Sequence, residues 1–121
     1  MKRFRFQDLE IWKRGIQIGI ELFALAERFE QRRHFRSAEQ IRAAALSITN
    51  NIAEGSGSAS DKDFAHFLNI AKRSAFENAN MLLFFSAAKL MDAEAAGKLV
   101  AMIEEECRMI SAFRQTLLRK V

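Results

Sequence analysis

A chain of 121 residues, half of them hydrophobic, is long enough to bury its own core, so we expect one folded domain over residues 1–121 and not a disordered protein. The sequence contains no proline, no tyrosine and a single cysteine, Cys107, which excludes a disulfide framework within the chain. The net charge is +4, and no apolar run is long enough to cross a bilayer. We therefore expect a soluble cytoplasmic protein that does not enter membranes.

The first predicted helix covers about 7–29 and is apolar on two sides. At about 100° per residue, one stripe consists of Leu9, Trp12, Ile16, Ile20 and Phe23. The second stripe lies on nearly the opposite side and consists of Ile11, Ile18, Leu22, Leu25 and Phe29. A helix at the surface of a bundle needs only one apolar stripe, so the other predicts contact between copies of the chain. The helical wheel does not decide between them, and we assign the second stripe as the oligomer face.

The second predicted helix covers about 33–55 and ends at Gly55, a residue type that can adopt a positive φ after a helix. The segment Gly55-Ser56-Gly57-Ser58 follows a helix, and no lysine comes after its glycines before Lys62. A phosphate-binding loop of the Walker type needs a preceding strand and a Gly-Lys-Ser/Thr ending. The segment is therefore predicted to be a hinge between two helices.

The third predicted helix covers about 61–90 and begins after Ser60, whose hydroxyl can cap it. The fourth covers about 93–119 and begins after Asp92, a second candidate cap. Short connections make consecutive helices antiparallel neighbours. The sequence thus predicts an all-α fold, an up-down-up-down antiparallel four-helix bundle that is oligomeric because of its surplus apolar surface.

The excess of positive charge lies in the first third of the chain. Residues 1–42 contain ten Lys and Arg against six Asp and Glu, whereas residues 43–121 contain nine against nine. Clustered basic residues are typical of proteins that bind polyanions. The candidate nucleic-acid-binding residues are Arg28, Arg32, Arg33, Arg36 and Arg42. The alternative is a solvated basic corner that only maintains solubility.

Three segments of the chain resemble one known family: QIRAAALSITNNIAEG (residues 40–55), SDKDFAHFLNIAKRS (60–74) and FQDLEIWKRG (6–15). The family is the four-helix-bundle proteins encoded in the intervening sequences of bacterial 23S rRNA genes. The matching positions are Gln40, Ile41, Arg42, Ser47, Ile48, Asn51, Ile52, Ala53, Glu54 and Gly55. The resemblance implies a homo-oligomer, a ring of five copies, that associates with nucleic acid. A more distant resemblance is to the basic pentameric accessory proteins of diversity-generating retroelements, which bind a reverse transcriptase.

Polar residues of the second helix form one strip beside its core stripe. Its members are Gln40, Ser47, Asn51 and Glu54, next to Gly55. One interpretation is a strip that contacts a polar ligand or RNA. The other is a hydrogen-bonded seam between helices or subunits, which we prefer because small amides and hydroxyls suit a close seam better than phosphate contacts.

Catalytic and metal-binding patterns are weak. Di-iron bundles need paired Glu-x-x-His motifs with further glutamates, and the chain offers only Asp63-x-x-His66. Arg28 and His34 have the spacing of the Arg…His motif in HEPN-type helical ribonucleases, but Phe29 stands where that motif has a polar residue. We therefore expect no enzymatic activity, no metal and no cofactor.

The sequence leads to a functional hypothesis with two alternatives. The hypothesis is a non-catalytic homo-oligomer that binds RNA or DNA through a basic surface near the corner between helices 1 and 2. The first alternative is a structural or scaffold module that binds a protein partner, and the second is a helical ribonuclease. Neither the specific nucleic acid nor the cellular process follows from the sequence.

Overall fold

The computed structural model describes residues 3–119, which form four α-helices and no β-strand. A short 3₁₀ turn, Arg5–Asp8, precedes the helices. The helices are α1 (Glu10–Gln31), α2 (Phe35–Ser56), α3 (Asp61–Ala87) and α4 (Ala93–Arg119). The all-α four-helix fold predicted from the sequence is confirmed. Within the described range, no helix combines the length and the apolar character that a membrane span requires.

Helices that are consecutive in the chain pack against each other, and α4 returns to α1. The α1–α4 contact, which we call the α1–α4 seam, is the least extensive of the contacts between helices. Large apolar side chains from all four helices fill the interior, among them Leu22, Ile48, Phe64 and Ile103. This arrangement follows from the short connections, which keep each helix beside the one before it.

Two helix starts have the side-chain caps that the sequence predicted. The Ser60 hydroxyl accepts a hydrogen bond from the Asp63 amide, with an N–O distance of 3.1 Å. Asp92 Oδ2 accepts a hydrogen bond from the Ala95 amide, also at 3.1 Å. Each bond satisfies an N–H group that has no partner within its own helix.

The ends of α1 and α3 have the same backbone geometry. Arg33 and Lys89 adopt left-handed φ values of 67° and 63°. The amide of the next residue then donates to a carbonyl five residues back, His34 to Phe29 at 2.9 Å and Leu90 to Phe85 at 2.8 Å. Glycine is the usual residue at such a position because it lacks a Cβ. The predicted extension of the third helix to residue 90 is wrong because this turn ends α3 without a glycine to mark it.

Gly55 has a different role from the one predicted. It lies inside α2, and none of the described glycines has a positive φ. A Cβ at Gly55 would lie 2.7 Å from Phe67 Cβ and 2.8 Å from Phe64 Cδ1. The missing side chain therefore allows α3 to pack closely on α2, and the prediction that the helix ends at Gly55 is wrong.

The assignment of the two apolar stripes of α1 is corrected by the structure. The stripe predicted as the oligomer face is buried within a single chain, with side chains only 1% to 4% exposed: Ile11, Ile18, Leu22, Leu25 and Phe29. In the other stripe, Leu9 and Trp12 pack half-buried against the core, whereas Ile20 and Phe23 face outward and Ile20 is 59% exposed. Since both stripes are apolar, only the positions of α2 and α4 determine which one is covered.

Candidate functional site

The α1–α2 turn and the α3–α4 turn lie side by side at one end of the bundle. Arg32 joins them, because its Nη1 donates to the Leu90 carbonyl oxygen at 2.7 Å. The side chains of Arg28, Arg33 and Arg36 are exposed around this contact. Lys89, in the second turn, adds a fifth exposed basic residue. We call Arg28, Arg32, Arg33, Arg36 and Lys89 the basic end.

Lys89 was not among the predicted basic residues, because the excess of positive charge lies in the first 42 residues. The available signal was the alternation of helix direction. In an up-down-up-down bundle the first and third connections lie at the same end. A basic residue in the third connection therefore joins those in the first, although 56 positions separate Arg33 and Lys89 in the numbering.

Arg42, the fifth predicted nucleic-acid-binding residue, is engaged within the chain. Its guanidinium donates two hydrogen bonds to the Glu30 carboxylate, at 2.9 and 3.0 Å. These bonds hold the pKa of Glu30 below its usual value. The guanidinium also lies 5.8 Å from the centre of the Phe23 ring. Arg42 therefore connects α2 to α1 and does not belong to the basic end.

Two acidic residues near the basic end already have partners. Glu30 is bonded to Arg42, and Asp92 caps α4. Within residues 3–119, Arg28, Arg33 and Arg36 form no ion pair. The charges of these three guanidiniums are thus available to anions in solution.

The polar strip of α2 divides into an interior part and an exposed part. Ser47 Oγ and Ser74 Oγ lie 2.7 Å apart and join α2 to α3. Asn51 Nδ2 donates to both the Ser47 carbonyl oxygen, at 2.8 Å, and its Oγ, at 3.0 Å. Gln40 and Glu54 are exposed and lie outside this network. The Ser47–Ser74 pair is therefore a contact between helices of one chain, while the exposed members are accessible from outside.

Two of the grooves between the described helices are lined by exposed apolar side chains. The first, on the α1/α2 face, has a volume of about 300 Å³ and includes Ile16, Ile20, Phe23 and Leu46. The second, the α3/α4 groove, has a volume of about 780 Å³ and includes Phe76, Leu83, Val100 and Cys107. The Phe76 side chain is 62% exposed. Contiguous apolar surface of this kind is typical of protein–protein contacts.

His34 and Cys107 are the side chains whose chemistry could have served catalysis. His34 precedes the first residue of α2, and its ring lies 5.8 Å from the Phe29 ring. Burial raises the pKa of the Cys107 thiol, which keeps it in its less reactive protonated form. No group of three or more His, Cys, Asp or Glu residues that could hold a metal ion occurs in the part of the chain that the structure describes.

Comparisons with known proteins identify the family and the fold. The model of the family described as 23S rRNA-intervening sequence protein matches residues 7–112. A crystal structure of a protein with unknown function from the S23 ribosomal protein family of Bacteroides thetaiotaomicron has a TM-score of 0.81 with this chain. The two are 20% identical, and the match covers 86% of this chain and 97% of the other. No curated protein matches significantly. With most of its length matched by the family model, the chain belongs to the family of 23S rRNA-intervening sequence proteins.

Proposed function

We propose that this protein is a non-catalytic, self-associating bundle that binds the phosphate backbone of RNA or DNA through its basic end. The observation that carries the proposal is the meeting of two turns that are distant in the sequence. Arg32 and Lys89 come from different turns, and the Arg32–Leu90 hydrogen bond holds these turns together. Phosphate contacts of this kind supply affinity without reading the sequence of the nucleic acid.

The backbone geometry of the basic end supports the same proposal. Arg33 and Lys89 occupy left-handed positions at which glycine would be less strained. A non-glycine residue in this conformation costs roughly 1–2 kcal/mol. Strained residues are frequent at functional sites. Two basic residues thus have this unfavourable conformation at the same end of the bundle. This supports a function for their positive charges in phosphate binding.

The test is a titration of labelled RNA and labelled duplex DNA at several salt concentrations between about 50 and 200 mM. Arg33→Ala and Arg36→Ala should each weaken binding. Each should also reduce the slope of log K against log salt concentration by about one, the contribution of one phosphate contact. Lys62→Ala is the matched control, because Lys62 is an exposed cation at the opposite end of the bundle. Absence of binding at the lowest salt, or an equal effect of Lys62→Ala, would refute the proposal.

Self-association is the second part of the proposal and rests on the two apolar surfaces. A monomer would leave the α1/α2 face and the α3/α4 groove in water, which soluble monomers rarely tolerate. Five copies is the number expected from the family resemblance. Light scattering should give a mass above that of one chain, and Ile20→Glu with Phe23→Glu should reduce it. A monomeric mass for the unmutated protein at micromolar concentration would contradict this part.

A scaffold that binds a protein partner is the alternative function. The α3/α4 groove favours it, since a groove of about 780 Å³ lined by Phe76 and Leu83 can accept apolar side chains. A protein that self-associates but does not bind nucleic acid in the titration would favour this alternative.

A further inference from the structure

The interior of the bundle contains a carboxyl group without a partner. Glu106 of α4 is fully buried, and neither of its oxygens has a hydrogen-bond partner among the described residues. Asn78 of α3 is also buried, and its amide group is likewise unpartnered. Buried polar side chains in native proteins are nearly always hydrogen-bonded, so the carboxyl group of Glu106 requires an explanation.

Glu106 lies where α1 has no side chain. A Cβ placed on Gly15 would be 3.2 Å from Glu106 Oε2 and 2.9 Å from Thr49 Cγ2. The carboxyl group therefore occupies the space that Gly15 leaves open, between α1 and α2. Gly15 thus leaves room for the end of the Glu106 side chain beside Thr49.

No cation lies within ion-pairing distance of this carboxyl group in the described chain. On α1, the Arg14 guanidinium favours the ionised carboxylate but forms no ion pair with it, and its Nε is buried without a hydrogen-bond partner among the described residues. The neighbouring α2 side chains, Ile48 and Thr49, are uncharged. On α3, the half-buried Lys72 donates to Ser111 Oγ at 3.4 Å.

On α4 itself, the neighbouring charged side chains are engaged with each other at the surface. Arg108 bonds to Glu105 at 2.7 Å and pairs with Glu104 at 3.5 Å. Burial raises the pKa of Glu106 to about 8, so the group is mainly neutral at pH 7.

The α1–α4 seam is the contact that can open most easily. It is the least extensive contact between helices. A surface groove of about 340 Å³, lined by Leu9, Ile11, Met109 and Phe113 among others, also lies along it. An ionised carboxylate needs water or a cation, and separation of α1 from α4 admits water at the smallest loss of packing.

We propose that Glu106 is a proton-controlled latch on the α1–α4 seam. The protonated carboxyl group allows α4 to close against Gly15, and loss of the proton releases α1 from α4. The proposal is independent of nucleic-acid binding, since it concerns the interior and not the basic end. Because α1 also carries Ile20 and Phe23 on its outer side, its release changes a surface proposed for self-association.

Hydrogen exchange measured by mass spectrometry on the full chain tests the latch, with rates corrected for the intrinsic effect of pH. Between pH 6 and 7 the ionised fraction of such a group rises about tenfold. Peptides from the first half of α1 should therefore lose protection several-fold as the pH approaches 8, while those from α2 and α3 should stay much more strongly protected. Glu106→Gln and Glu106→Leu should both abolish this response. Glu104→Gln, which neutralises an exposed glutamate two positions away, should leave it unchanged.

Three outcomes would overturn the proposal. One is constant protection of α1 from about pH 6 to pH 9 in the unmutated protein. Another is an equal loss of protection in the Glu106→Gln variant. The third is exchange of all four helices at one common level of protection, which would indicate global unfolding and not release of one helix.

Discussion

Replacement of Arg33 and Lys89 by glycine should increase stability and weaken nucleic-acid binding at the same time. Both residues have left-handed φ values, 67° and 63°. Removal of the Cβ that makes this conformation unfavourable should stabilise the folded state by roughly 1–2 kcal/mol at each position. The greater conformational freedom of glycine in the unfolded chain should cancel about 0.5–1 kcal/mol of that gain. The double variant should thus gain about 1–2 kcal/mol in the free energy of unfolding. For a domain of this size the Tm should rise by about 5 °C.

Thermal unfolding followed by circular dichroism measures the gain, and the salt titration measures the loss of affinity. Arg36→Gly is the matched control, because it removes the same charge from the basic end at a position in the first turn of α2. There glycine should lower the free energy of unfolding by up to about 1 kcal/mol. A Tm that falls in the single variants Arg33→Gly and Lys89→Gly, as it should in Arg36→Gly, would refute the backbone argument. Unchanged affinity in the double variant would refute the role of Arg33 and Lys89 in phosphate binding.

Three further predictions concern the interior and the surface of the bundle. Gly55→Ala should lower the free energy of unfolding by about 1–2 kcal/mol in urea titrations, because its Cβ would overlap α3. Gly19→Ala should raise it by about 0.5–1 kcal/mol, because a Cβ at position 19 meets no atom of another helix within 4 Å. Glu106 has a pKa of about 8 in the folded chain and 4.5 as its ordinary value, so the folded state binds an additional proton between these pH values. The free energy of unfolding should therefore fall by up to about 5 kcal/mol as the pH rises from 4.5 to 8, relative to that of the Glu106→Gln variant. Parallel pH profiles of the two proteins would contradict this. Ile18→Glu should abolish the cooperative unfolding transition, while Ile20→Glu should remain helical by circular dichroism and change only the mass in light scattering.

The features that depend on local sequence were predictable. Ser60 and Asp92 cap their helices as expected, because an N-cap needs only one suitable side chain three residues before its target amide. The number and order of the helices also followed from the absence of proline and the apolar periodicity. These are properties of short segments, and the rest of the chain does not alter them.

The features that depend on packing were not predictable from the sequence. Both stripes of α1 are apolar, so the choice between Ile18 and Ile20 as the buried residue required the positions of the neighbouring helices. Gly55 has the residue type of a helix end but serves a close contact with α3. In the candidate site, Arg42 has the charge of a phosphate ligand, yet Glu30 binds it from twelve positions earlier in the chain. In each case the residue type allowed two roles, and a contact with another helix decided between them.

The connectivity of the bundle also implies an order of assembly. Every contact between α-helices except the α1–α4 seam joins helices that are consecutive in the chain and separated by a short turn. Contacts of this local kind need little loop closure, whereas the seam requires the first and last helices to meet. Hairpins of consecutive helices (α1–α2, α2–α3 and α3–α4) can therefore form early during folding. The pairing of α1 with α4 then completes the native fold.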